Sequence, residues 1–104
     1  MKRINLAFCL VLLLPTLLIA ETDGNELLEM MQHPKGREAT QPFIDDVWRK
    51  WNNGLFCIPE ENIRDTTFAA VLDYLENNSE NLFRPRRYLI VQALRVGFPC
   101  NKEE

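Results

Sequence analysis

Apolar residues along this chain follow two different patterns. In residues 4–19 only Asn5 and Thr16 interrupt an otherwise apolar run, Lys2 and Arg3 precede it, and from Glu21 onward polar residues dominate. The first pattern has the order of a secretory signal peptide: a positive start, an apolar helix, Pro15 as its breaker and the small residue Ala20 at the cut. Residues 1–20 are accordingly expected to be removed and residues 21–104 to form a single domain. An uncleaved anchor is the rival reading, for which a run of 16 apolar-rich residues is short against the roughly 20 that span a bilayer.

Beyond residue 21 the apolar spacing predicts helices and no strands. Leu27, Leu28 and Met31 give residues 25–32 a short apolar edge, and residues 33–40, with Pro34 and Gly36, read as a breaker stretch. Ile44, Val47, Trp48 and Trp51 then fall at i, i+3, i+4 and i+7, which turns Asp45, Asp46, Arg49 and Lys50 outward. Asn53 and Gly54 end this second helix, with Gly54 as the expected left-handed residue. A third helix is expected from Asn62, capped reciprocally by Asn62 and Asp65, with Phe68, Val71, Leu72 and Leu75 on one face.

Residues 77–79 close that helix, residues 80–83 form a tight turn, and Pro85 suits the first position of a fourth helix, where its missing amide costs nothing. Tyr88, Leu89, Ile90, Val91, Ala93, Leu94 and Val96 cover most of the fourth helix's circumference, which predicts the central, most buried element. Gly97, Phe98 and Pro99 stop it, with glycine for a left-handed turn, and residues 101–104 should fray. The fold class expected is all-α, a small bundle of about four helices.

Charge and cysteine content narrow the function. Without residues 1–20 the chain carries 10 basic and 15 acidic side chains, an acidic balance that argues against nucleic acid or an anionic membrane as partner. Cys9 would leave with the signal peptide, and the remaining two, Cys57 and Cys100, would meet an oxidising compartment, where an even number reads as a disulfide. Two free thiols holding a metal is the alternative, and it lacks further ligands, since His33 is the only histidine and lies in a loop-like stretch.

No catalytic constellation stands out, and neither a cofactor nor an enzymatic activity is expected. The single serine, Ser79, lies far in sequence from His33, and a nucleophile needs a base beside it. The neighbouring carboxylates Asp45 and Asp46, like Glu60 and Glu61, diverge by about 100 degrees on a helix and read as solvated charge. Trp48 and Trp51 could form a ligand platform, but their spacing fits an apolar stripe. Arg84, Arg86 and Arg87 concentrate positive charge on an otherwise acidic chain. They either pair with Glu76, Glu80 or the pair Glu60 and Glu61, or form a contact surface for an acidic partner, to which the arginine fork is suited.

The run Cys57-Ile58-Pro59, the helix ending in Tyr74 and Leu75, the polar turn with Leu82, the helix carrying Ala93 and Leu94, and the terminal Phe98-Pro99-Cys100 together resemble the Rap/Tai immunity family. The resemblance covers about residues 54–100. It implies a periplasmic, mainly helical protein that binds, commonly as a dimer, and blocks the cleft of a peptidoglycan amidase delivered by type VI secretion. It also implies that the third helix and the turn after it supply the contact surface. In this chain those are the exposed side of Asp73, Glu76 and Asn77, and the turn through Asn78, Ser79, Glu80 and Asn81 to Arg84, with Arg86 and Arg87 beside it. The chain departs from the family's pattern in its amino-terminal half, where Met30 and Met31 stand in a region that usually carries a further cysteine.

An alternative of another class is a small periplasmic acid-stress chaperone with one disulfide. Its carboxylates would lose charge at low pH and loosen the fold.

Overall fold

A computed structural model describes residues 22–100, so the signal peptide read in residues 1–20 and the frayed tail read in 101–104 lie outside the described residues. Four α-helices run in the order α1 (Gly24–Gln32), α2 (Gly36–Trp51), α3 (Ile63–Glu76) and α4 (Arg86–Gly97), with one 3-10 turn, Ser79–Asn81, between α3 and α4. Every regular element among the described residues is helical, as the spacing predicts. None is long and apolar enough to cross a membrane.

The stretch 33–40 is not the breaker its composition suggests. Only His33, Pro34 and Lys35 leave the helix, and α2 resumes at Gly36. Glycine is required there because a Cβ would run into the backbone carbonyl of Met30, so the tight elbow between α1 and α2 exists only without a side chain. Pro42 then lies inside α2, where it has no amide to offer the carbonyl of Glu38. Pro42 and Glu38 both face solvent, so water can serve that carbonyl. Thr40 meanwhile folds its buried hydroxyl back to donate to the carbonyl of Gly36 at 2.7 Å.

Helix ends differ from the expectations in three places. The left-handed residue after α2 is Asn53, at φ 71°, and no glycine has positive φ; asparagine tolerates this conformation, which leaves Gly54 and Gly97 ordinary. Asn62 is itself left-handed, at φ 51°, and its side chain makes no cap bond, so the reciprocal cap with Asp65 does not form. Asp65 instead pairs with Arg37 of α2 at 2.6 Å. Pro85 is the residue before α4 rather than its first.

Leu27 and Met31 of α1, Ile44 and Val47 of α2, Val71 and Leu75 of α3, and Leu89, Ile90, Ala93 and Leu94 of α4 make one core, to which the loops add Phe56, Ile58 and Leu82. Helix α4 is less enclosed than its composition predicts, because Tyr88 and Val96 are 42% and 68% exposed. An apolar face that wide exceeds what three short neighbours can cover. Trp51 is also on the surface, whereas Trp48 packs against the core.

Asp45, expected to face water, is 3% exposed. Its Oδ1 accepts from Gln41 Nε2 at 2.9 Å and from Trp48 Nε1 at 2.8 Å. Its Oδ2 lies 3.1 Å from the guanidinium of Arg64 on α3. A carboxylate can be buried only with its lone pairs occupied, and here the occupants join α2 to α3. Trp48 and Gln41 flank Asp45 at i+3 and i−4, so the helix itself supplies most of the cage.

Asp45→Ala should therefore lower stability by about 3 kcal/mol, since the buried Gln41 and the partly buried Trp48 would be left as donors without acceptors. Arg64→Ala, which removes a mostly exposed partner, should cost less than about 1 kcal/mol. Urea titrations of the two variants, followed by tryptophan fluorescence, check the ordering.

Candidate binding surface

Helices α3 and α4 form an antiparallel hairpin closed at one end by a disulfide. Cys57, ahead of α3, is bonded to Cys100, behind α4, with their Cα atoms 4.9 Å apart. The amide of Cys57 also donates to the carbonyl of Phe98 at 2.8 Å. At the same end Asn52 accepts from the amide of Ile58 at 2.8 Å. Once this end is fixed, the connection between α3 and α4 projects from the opposite end.

That connection is held in place by its own side chains. Asn77 Nδ2 donates to the carbonyl of Asp73 at 2.8 Å and to its carboxylate at 3.1 Å. Asn78 Nδ2 donates to the carbonyl of Tyr74 at 2.8 Å. The Tyr74 carbonyl, which α3 would otherwise leave free at its end, is thus satisfied, and the Asp73 carbonyl, which already accepts from the amide of Asn77 at 3.1 Å, gains a second donor. The 3-10 turn follows, with the amide of Asn81 donating to the carbonyl of Asn78 at 2.9 Å and the amide of Arg84 to that of Asn81 at 3.1 Å. Leu82 is buried beneath the turn and anchors it to the core.

The start of α1 pairs with the far side of the connection. The amide of Asn25 donates to the carbonyl of Leu82 at 3.1 Å, and the amide of Gly24 to that of Arg84 at 3.0 Å. In return the amide of Arg86 donates to the carbonyl of Thr22 at 3.1 Å. A Cβ on Gly24 would approach the Leu82 carbonyl oxygen to 2.8 Å and strike Leu89, so glycine permits the two backbones to meet. Asp23 caps α1 alongside, accepting from the amide of Glu26 at 3.1 Å.

The residues expected to contact a partner divide into two groups. Asp73, Asn77 and Asn78 line a shallow groove with Tyr74, Val96 and Gly97, between α3 and α4. Glu76, on the same helix end, accepts from Gln32 of α1 at 3.3 Å. Ser79 and Glu80 are exposed at the tip and Asn81 is half-buried.

The arginines lie on the other flank. Arg86 stacks on the ring of Phe43 in α2, 3.7 Å from its centroid, and lines a cleft with Arg87 and Asp46. Much of Arg86 is thereby spent on packing α4 against α2. Arg84 lies 5.2 Å from the Phe83 centroid and 5.0 Å from that of Tyr88. Among the described residues the ion pairs are Arg37 with Asp65 and Arg64 with Asp45, so none of the three arginines pairs with Glu60, Glu61, Glu76 or Glu80. Two of them, Arg86 and Arg87, stand in the first turn of α4, which has no acidic residue of its own and where the helix dipole opposes positive charge.

Two participants were not picked out from the sequence. Residues 22–25 pair with the connection through their backbone, which carries no side-chain signature. Phe83 lies in the expected tight turn, although an aromatic residue directly before an arginine is a readable sign of a contact surface. Among the described residues no three histidine, cysteine, aspartate or glutamate side chains converge on a metal-sized site.

No family model, curated protein or solved structure matches this chain.

Gly24→Ala should push the start of α1 off the connection at a cost of about 1–3 kcal/mol. Hydrogen exchange at the amides of Asn25 and Arg86 should quicken at least tenfold, while amides in the middle of α3 slow or hold relative to them. Equal acceleration throughout would mean that the pairing has no local role.

Proposed function

We propose that this chain is an exported binding protein, an immunity factor that enters and blocks the catalytic cleft of a peptidoglycan amidase delivered by type VI secretion. The observation that carries the reading is the connection between α3 and α4. It is polar and charged and projects from the free end of a disulfide-closed hairpin. Its backbone is tied to the ends of α3 and α1 by the bonds of Asn77, Asn78, Gly24 and Thr22. An inhibitor gains affinity when the inserted segment is already ordered, because less conformational entropy is lost on binding.

The resemblance of the segment from Cys57 to Cys100 to the Rap/Tai immunity family supplies the partner class and the compartment. A disulfide between the two cysteines suits the periplasm, where such an amidase meets its substrate. On this reading the tip residues Ser79 and Glu80 enter the cleft, and Asp73, Asn77, Arg84 and Arg87 contact its rim. Blocking requires shape and polar complementarity alone, so the chain needs no cofactor.

Type VI amidases directed one at a time to the periplasm of a Gram-negative host test the proposal. Co-export of this chain should prevent lysis by at least one of them, and the pair should co-elute on size exclusion. Lysis by every amidase at the rate of the empty-vector control, with no co-elution, would contradict it.

A further inference from the structure

Phe83 and Tyr88 are 67% and 42% exposed, and the Arg84 guanidinium lies within about 5 Å of both rings. Scattered exposed apolar residues are ordinary. Two exposed aromatics gathered about one guanidinium, on a backbone tied down on both sides, are a different matter. The carbonyls of Leu82 and Arg84, which flank Phe83, both accept from the first residues of α1, and the amide of Arg86 donates to the carbonyl of Thr22 just ahead of it. Phe83 is thus held outward by the fold, and turning it inward would break those bonds.

Resting on the reading of the chain as a binding protein, we propose that Phe83, Arg84, Arg87 and Tyr88 form its principal docking site, and that the site takes an acidic surface of a partner protein. Phe83 and Tyr88 supply rigid aromatic area, the residue class that dominates binding hot spots together with arginine. Stacking orients the Arg84 guanidinium and leaves its donors free at the ring edges, where a carboxylate can be met by two N–H groups. Arg84 and Arg87 have no carboxylate within salt-bridge distance among the described residues. Asp46 faces Arg86 and Arg87 across their cleft, beyond salt-bridge distance of both. The sign of the patch is opposite to that of the whole chain, whose net charge is −3, so the attraction is local and directs the partner to this face. The same overall charge opposes an anionic bilayer, which acts over a wide area.

The test is a titration of the isotopically labelled chain, purified after export, with an octaglutamate peptide and with octalysine as control. Octaglutamate should shift the amides of residues 83–88 and the Arg84 Nε resonance, more weakly as salt is raised, and octalysine should not. Arg84→Glu with Arg87→Glu should reduce the apparent affinity at least tenfold. Arg84→Gln with Arg87→Gln should give an intermediate loss with an unchanged melting temperature, which separates docking from folding.

Shifts elsewhere or nowhere, or the same affinity in both double variants, would overturn the proposal. So would tighter binding of phosphatidylglycerol vesicles than of octaglutamate. With an amidase that the chain does inhibit, the Arg84→Glu, Arg87→Glu variant should bind at least tenfold more weakly, and Phe83→Ala likewise. Undiminished binding by these variants would overturn the docking site and leave amidase inhibition standing. Absence of any amidase complex alongside intact octaglutamate shifts would do the reverse.

Discussion

The Cys57–Cys100 disulfide is the constraint from which the rest of the arrangement follows. It joins two positions 43 residues apart, and everything between them is α3, the connection and α4. A domain of this size has little core to spend. The chain-entropy model assigns such a closure about 4 kcal/mol, comparable with the whole stability of a small domain. Because the bridge fixes one end of the hairpin, α3 and α4 must run antiparallel. Val71, Leu75, Ile90 and Leu94 are then shared between them, and the connection is set at the other end. Helices α1 and α2 lie outside the closed loop and are held by packing, by the Asp45 cage and by the Arg37–Asp65 pair.

The second constraint acts at the opposite end. A hairpin connection of eight or so residues would ordinarily be among the first parts of a domain to open. Here Asn77 and Asn78 bond back to carbonyls of α3, and the carbonyls of Leu82 and Arg84 accept from Asn25 and Gly24 at the start of α1. Order at one end comes from a covalent bond and at the other from backbone pairing with a segment more than fifty residues distant. The two together leave a charged, aromatic flank with little freedom to rearrange. This is the property that links the fold to the proposed binding.

Much of the fold was legible in the sequence because helical spacing is a strong signal. Ile44 with Val47, Val71 with Leu75, and Leu89 with Ile90, Ala93 and Leu94 are buried as their spacing predicts, and the Cys57–Cys100 bond joins the two cysteines that remain once residues 1–20 are read as a signal peptide. What escaped notice was set by tertiary contact. Asp45 looks like any outward carboxylate, because periodicity cannot show that Trp48, Gln41 and Arg64 surround it. Pro34 and Gly36 look like breakers of a long stretch, yet the elbow needs a glycine against Met30 and the helix resumes at once. The arginines were recognised as a cluster. That Arg86 stacks on Phe43 while Arg84 stands between Phe83 and Tyr88 depends on how α2 and α4 pack, which no local pattern encodes.

The account is tested most directly by equilibrium unfolding of the oxidised chain beside the Cys57→Ser, Cys100→Ser variant. The variant should lose about 4 kcal/mol of stability, with hydrogen exchange at residues 78–84 rising toward that of a free loop. Unfolding curves that coincide, with the connection equally protected in both, would contradict it.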